Sequence, residues 1–119
     1  QSVVTKAVGE CDALYIPTDN TIANNTEIVK NVAVPAGIPV VTGEEGMCSG
    51  CGLATLSISY YDLGVKAAEM AYEILTNGAD PAQMAIGYVT DGITEKYNAD
   101  IAEALGVTIP EDMVAIENE

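Results

Sequence analysis

The sequence predicts an α/β fold in which helices flank a parallel sheet, and three observations carry that prediction. The apolar runs at residues 13–16 and 38–42 are continuous rather than alternating, the pattern of strands buried on both faces. A helical pattern lies between them, so strand, helix and strand follow one another within about thirty residues, which implies parallel pairing and a right-handed crossover. Farther along, residues 60–77 place Gly64, Ala67, Ala68, Ala71, Ile74 and Leu75 on one stripe and leave Asp62, Lys66, Glu69 and Glu73 largely off it, as an amphipathic helix does.

Taken in order, residues 1–8 read as the tail of a helix that starts upstream. Val3, Val4 and Ala7 share a face and Gly9 stands at the stop position, so the chain is expected to be a piece of a longer protein. Residues 13–16 form the first strand. The helix from Thr21 to about Val34 follows from the recurrence of Ile22, Val29, Val32 and Ala33, with Asn20 or Thr21 as cap and Pro35 and Gly37 as terminators. The second strand, 38–42, closes at Gly43, and a glycine-rich loop leads to a third strand at 53–59. Gly78 and Pro81 stop the long helix. A fourth strand is expected at 84–89, a short helix at 98–105 ended by Gly106, and an extended tail from Val107 that turns at Pro110.

Length and charge narrow the function classes. A chain of 119 residues is compatible with one domain, here a single α/β unit over 1–119. Eighteen Asp and Glu stand against four Lys, with no Arg and no His, for a formal net charge of −14. Nucleic acid is excluded as a partner because phosphate neutralisation needs clusters of Lys and Arg, and an anionic membrane surface would repel the chain for the same reason. Without His, the commonest general base and zinc ligand are missing. No stretch approaches the roughly twenty apolar residues of a membrane span, and no cofactor is implied.

The candidate site residues lie where the first strand ends. Pro17 stops the apolar run, and Thr18, Asp19, Asn20 and Thr21 follow it. In open α/β sheets ligands bind outside the carboxyl ends of the strands, where helix N-termini point their amide groups outward. The same residue types are ordinary helix caps and would stand here without any ligand. Glu44 and Glu45 follow the second strand at the same edge, and could serve acid–base chemistry, hold a ligand ammonium, or be solvated. Tyr60 and Tyr61 stand between the third strand and the long helix, one able to line a site while the other packs. Cys48 and Cys51 form a Cys-x-x-Cys followed by a strand-like run, so no helix dipole is expected to activate them. Inert thiols, a local disulfide, and metal or redox chemistry all stay open for this pair.

Four blocks, in this order and spacing, carry a resemblance. They are Asp-Ala-Leu-Tyr-Ile-Pro-Thr-Asp-Asn-Thr from Asp12, Ile-Pro-Val-Val from Ile38, Gly-Leu-Ala-Thr-Leu from Gly52 with Tyr-Tyr-Asp-Leu-Gly from Tyr60, and Asn98 followed by Leu-Gly-Val-Thr-Ile-Pro from Leu105. Together they resemble the ABC-transporter substrate-binding proteins that include tryptophan and tyrosine binders. The resemblance implies a C-terminal segment of a type I periplasmic-binding-protein fold, with Rossmann-like lobes closing on a ligand. It places residues 12–46 in the C-terminal lobe and makes 53–119 a hinge crossover and the remaining elements. It also implies a solute-binding component of an ABC importer that takes a small molecule, an amino acid with the aromatic ones among the candidates, to a membrane permease. Its setting would be extracytoplasmic, with a lipid anchor at a missing N-terminus. Thr18, Asp19, Asn20, Glu44 and Tyr60 are then the expected ligand contacts, with Asp19 and Asn20 the best candidates, Glu44 below them and Tyr60 lower still. Elements of two lobes without their partners could pair with a second copy, as a homodimer. An α/β enzyme using Asp19 and Glu44, or a Cys-x-x-Cys redox or metal protein, are the competing readings.

Overall fold

The computed structural model describes residues 1–117, and its contacts form two compact units, Gln1–Ser57 with the segment from Thr94 onward, and Ile58–Ile93. The elements are α1 (Ser2–Val8), β1 (Leu14–Ile16), α2 (Asn20–Ala23), α3 (Thr26–Ala33), β2 (Val40–Thr42), α4 (Glu45–Cys51), β3 (Ala54–Ser57), α5 (Tyr60–Asn77), β4 (Thr94–Tyr97), α6 (Ala99–Leu105) and β5 (Val114–Ala115). All but α5 lie in the first unit.

That unit is a five-stranded sheet in the order β1-β2-β3-β4-β5. The pairs β1–β2, β2–β3 and β4–β5 are parallel and β3–β4 is antiparallel, so the wholly parallel sheet expected from the sequence is corrected to a mixed one. β4 reads Thr-Glu-Lys-Tyr, which has no apolar run to announce a strand; its pairing with β3 makes it one. Likewise β5 turns part of the expected extended tail into an edge strand, while residues 118 and 119 of that tail lie outside the described residues.

Burial alternates along the strands. Ile16, Val40, Thr42, Thr55 and Ser57 are buried, whereas Tyr15, Val41 and Leu56 are exposed. One core gathers Ile16, Val29, Ala33, Val40, Met47 and Cys51, with Val4, Val8, Leu14 and Ile22 packed around it. A second gathers Leu53, Ile101 and Ala102 with Ala54, Tyr97 and Leu105. The continuous apolar runs therefore do not mean burial on both faces here.

Two helices depart from the sequence expectation. The helix expected over 21–34 is broken at Asn24 and Asn25, where Asn25 leaves the helical region (φ −139°, ψ 31°) and its Nδ2 donates to the Thr21 carbonyl at 2.7 Å. Asn competes for backbone partners in this way, which is why it interrupts helices. The second departure is α4, which replaces the expected glycine-rich loop. Its N-cap Glu44 accepts from the amides of Gly46 and Met47, and it buries Met47, Cys48 and Cys51. Glycines that suggested mobility instead allow contact. A Cβ on Gly50 would stand 2.6 Å from the Cβ of Thr26, and one on Gly52 would stand 2.9 Å from the Cα of Cys48 and from Cγ2 of Thr42.

The second unit is built on α5. Ser59 caps it by accepting from the Asp62 amide at 3.1 Å, and Gly78 ends it in the left-handed region (φ 69°) that a side chain would disfavour. Residues 84–88 run beside this helix, close enough that a Cβ on Gly87 would meet Met70 Sδ at 2.7 Å. The expected fourth strand at 84–89 is corrected: the segment joins no ladder among the described residues. An apolar run becomes a strand only where a neighbouring strand takes its backbone groups.

Candidate ligand site at the strand ends

The first unit brings the ends of its three parallel strands to one edge. Ile16 and Thr42 are register partners, as are Thr42 and Thr55, so β1, β2 and β3 release their loops side by side. The first two loops touch. A Cβ on Gly43 would lie 2.8 Å from both the amide nitrogen and Oγ1 of Thr18, so only glycine lets these backbones approach so closely. Thr18, Asp19 and Asn20 are exposed at this edge and Glu44 is half-buried.

Two of these residues act as helix caps. Asp19 Oδ1 accepts from the Ile22 amide at 2.9 Å, and its other oxygen has no protein partner among the described residues. Glu44 uses both oxygens, Oε2 on the Gly46 amide at 2.8 Å and Oε1 on the Met47 amide. The Thr42 hydroxyl donates to the Glu44 carbonyl at 3.1 Å and fixes the turn. Tyr60 opens α5 in the other unit and is largely exposed.

A third group at the edge was not visible from the sequence. Lys96 of β4 donates to both carboxylate oxygens of Glu45 at 2.8 Å, and Ser57, the last residue of β3, donates to Oε2 at 2.8 Å. The Lys96 ammonium, then the Ser57 hydroxyl, hold the Glu45 carboxyl below its ordinary value against the opposing effect of burial. Glu45 was already a candidate beside Glu44, but Lys96 and Ser57 enter only through the antiparallel register that sets Thr55 opposite Lys96. The one available signal was scarcity, since Lys96 is one of four lysines in the chain.

Cys48 and Cys51 are free thiols, wholly buried in α4, and Cys11 is free and exposed. The pair lies in the C-terminal half of α4 and the strand β3 follows it, as the sequence indicated, so no helix N-terminus stands at either thiol. The thiols are not activated: burial pushes both up to about 11, and the Glu44 carboxylate at the helix start adds to the shift. Among the described residues, no group of three or more His, Cys, Asp or Glu side chains could hold a metal ion. Away from the strand ends, a cavity of about 400 Å³ borders β1 and is lined by Val3, Val4, Leu14, Tyr15, Ile22 and Val29 among others, with no carboxylate side chain.

The fold recurs in known proteins. The chain is 44% identical over 72 residues to a tyrosine-binding protein of Clostridioides difficile (strain R20291), a match covering 60% of this chain and 21% of that protein. A ligand-free, open substrate-binding protein with adhesive properties from Clostridium difficile superposes with a TM-score of 0.72 at 35% identity, covering 99% of this chain and 40% of the other. An ABC domain from Streptococcus pneumonia, solved in complex with L-Trp, superposes with a TM-score of 0.79 at 32% identity, covering 97% and 40%. The chain thus spans about two-fifths of its solved relatives and about a fifth of the curated one. The family profile for ABC transporter substrate binding proteins matches residues 1–119, and the chain belongs to that family.

Proposed function

We propose that the chain is the C-terminal portion of the solute-binding component of an ABC importer, a binder and not a catalyst. The observation that carries this reading is the shared edge: two adjacent parallel strands, β1 and β2, deliver Thr18, Asp19, Asn20 and Glu44 together, in a chain that superposes on a relative solved with L-Trp. The solute is an amino acid, and the relatives that bind tyrosine or tryptophan favour an aromatic one. Asp19 is suited to a ligand N–H donor, because its uncommitted oxygen can accept without releasing the α2 cap, and Asn20 offers both a donor and an acceptor. Glu44 is a lower candidate at the same edge, and Tyr60 a lower one again at the start of α5.

Residues 12–46 belong to the C-terminal lobe in this reading, and 53–119 supply a hinge crossover and the remaining elements. The break in contacts at Ser57 and Thr94 supports it, since a chain that leaves one lobe and returns would divide there. Lobe closure would bury the solute and present a closed surface to the permease, a population shift driven by tighter binding in the closed state. The protein works outside the cytoplasm, held by a lipid anchor on a preceding segment. A homodimer of the chain itself is supported by the free edge of β1 and the uncharged cavity beside it.

Calorimetry of the full-length parent against a panel of amino acids tests the reading. Saturable heat with one or a few of them is expected. No heat with any, alongside turnover of some substrate, would replace it with the enzyme reading. The 119-residue chain alone should bind weakly, and affinity equal to the parent's would overturn the lobe assignment.

A further inference from the structure

We propose that Glu45, Lys96 and Ser57 form the subsite for the charged headgroup of the solute, which is therefore a zwitterion carrying its ammonium to Glu45 and its carboxylate to Lys96. The inference rests on the binding reading above and deepens it by naming which groups take the two charges.

The valences of the cluster carry it. An ammonium has three N–H donors, and Lys96 spends two of them on Glu45. A carboxylate offers about four acceptor positions, and Glu45 fills three: Oε1 with Lys96, Oε2 with Lys96 and Ser57. One donor and one acceptor of opposite charge remain on the two members of this ion pair. Both reach solvent, with the Lys96 side chain 26% and the Glu45 side chain 38% exposed. An amino-acid headgroup offers the complementary pair, one carboxylate and one ammonium on the same carbon.

The surrounding groups are already satisfied and so hold the cluster still. Thr42, Thr55 and Lys96 form one row across β2, β3 and β4. The Thr55 hydroxyl donates to the Thr42 carbonyl at 2.8 Å, and the Thr42 hydroxyl to the Glu44 carbonyl. Ser57 is nearly buried and fixes the Glu45 rotamer from below. A preformed pair loses little freedom on binding, which is the advantage of preorganisation.

Electrostatics select the zwitterion over either single charge. A simple amine approaching Glu45 meets the Lys96 ammonium, and a simple acid approaching Lys96 meets both Glu45 and a chain of net charge −14. A zwitterion satisfies both and adds no net charge.

The test is a titration of the isotope-labelled 119-residue chain followed by amide NMR, with three probes at millimolar concentration: L-tryptophan, tryptamine lacking the carboxylate, and indole-3-propionate lacking the ammonium. Saturable shifts at Glu45, Ser57 and Lys96 are expected with L-tryptophan. Each analogue should bind about tenfold or more weakly, the loss of one charge-assisted hydrogen bond. In Lys96→Gln, L-tryptophan and tryptamine should become equal; if that variant does not fold, the three probes on the unaltered chain decide. Equal affinity for the probes, shifts confined to Thr18, Asp19, Asn20 and Glu44, or no saturable shift at all would overturn the subsite. None of these touches the binding reading, which stands or falls on the calorimetry of the parent.

Discussion

Replacing Gly50 and Gly64 by alanine should change stability in opposite directions, although both glycines sit inside α-helices. Helix propensity favours alanine over glycine by about 0.8–1 kcal/mol at an interior position. At Gly64 in α5 a Cβ would meet nothing within 4 Å, so Gly64→Ala should gain about 0.5–1 kcal/mol. At Gly50 in α4 the same atom would fall 2.6 Å from Thr26 Cβ and 2.9 Å from its Cγ2. Carbon atoms rest about 3.5–4.0 Å apart, so the groups must separate by roughly 1 Å. A rotamer change can move Cγ2 and Oγ1, but Thr26 Cβ is fixed to the first residue of α3, so the helix itself has to shift. Overpacking that shifts backbone falls in the upper part of a range of about 1–3 kcal/mol, at about 2–3 kcal/mol, and less the propensity gain this leaves Gly50→Ala destabilised by about 1–2 kcal/mol. Urea unfolding followed by circular dichroism measures both variants, and residue-resolved hydrogen exchange assigns each effect to its unit. Adding Thr26→Ala to Gly50→Ala should recover only part of the loss. A Gly50→Ala chain as stable as the parent sequence would refute the close contact of α3 with α4.

Three further outcomes follow from the structure. The folded Glu45 carboxyl titrates below its ordinary value of 4.5, so its contribution to stability is full above about pH 4.5 and is lost as pH falls through the lowered folded value. The urea midpoint of the unaltered chain should accordingly exceed that of Lys96→Met at about pH 6 by more than at about pH 3; a gap independent of pH would contradict the ion pair. Iodoacetamide at about pH 8 should add one label per native chain, at Cys11, and three in denaturant, because burial removes Cys48 and Cys51 from reagent and thiolate alike. Two or three labels on the native chain, counted by mass spectrometry, would show that α4 opens readily. Asn98→Ala should cost about 2–4 kcal/mol, since the buried amide donates to the carbonyls of Cys48 and Ser49 and its oxygen caps α6 through the Ile101 amide. A loss under about 0.5 kcal/mol in urea unfolding would rule out that junction.

The strands and the long helix were legible because their signals are local. β1 and β2 are short β-branched and aromatic runs closed by Pro17 and Gly43, and α5 carries its own period, cap and glycine stop. What was missed depends on partners distant in sequence. α4 looked like a loop because Gly46, Gly50 and Gly52 lower helix propensity, and only the packing of Gly50 on Thr26 and of Gly52 on Thr42 explains why glycine stands there. β4 carries two charged residues in four and becomes a strand through its ladder with β3. Residues 84–89 show the converse, an apolar run without a ladder.

The candidate site divides along the same line. Asp19 and Glu44 were visible because a polar residue after a strand and before a helix is a local pattern, and that pattern describes a cap as well as a ligand contact. The structure has both carboxylates capping, but with different consequences. Asp19 caps through one oxygen, so a ligand donor can join without loss to α2, whereas Glu44 has committed both oxygens and a ligand there would compete with the α4 amides. Capping and recognition are therefore compatible at Asp19 and opposed at Glu44. The neighbouring Glu45 escapes the conflict because its partners are side chains, Lys96 and Ser57, brought from β4 and β3. A carboxylate held by side chains can retain a spare acceptor while its helix stays capped by another residue, and α4 divides those two tasks between consecutive glutamates.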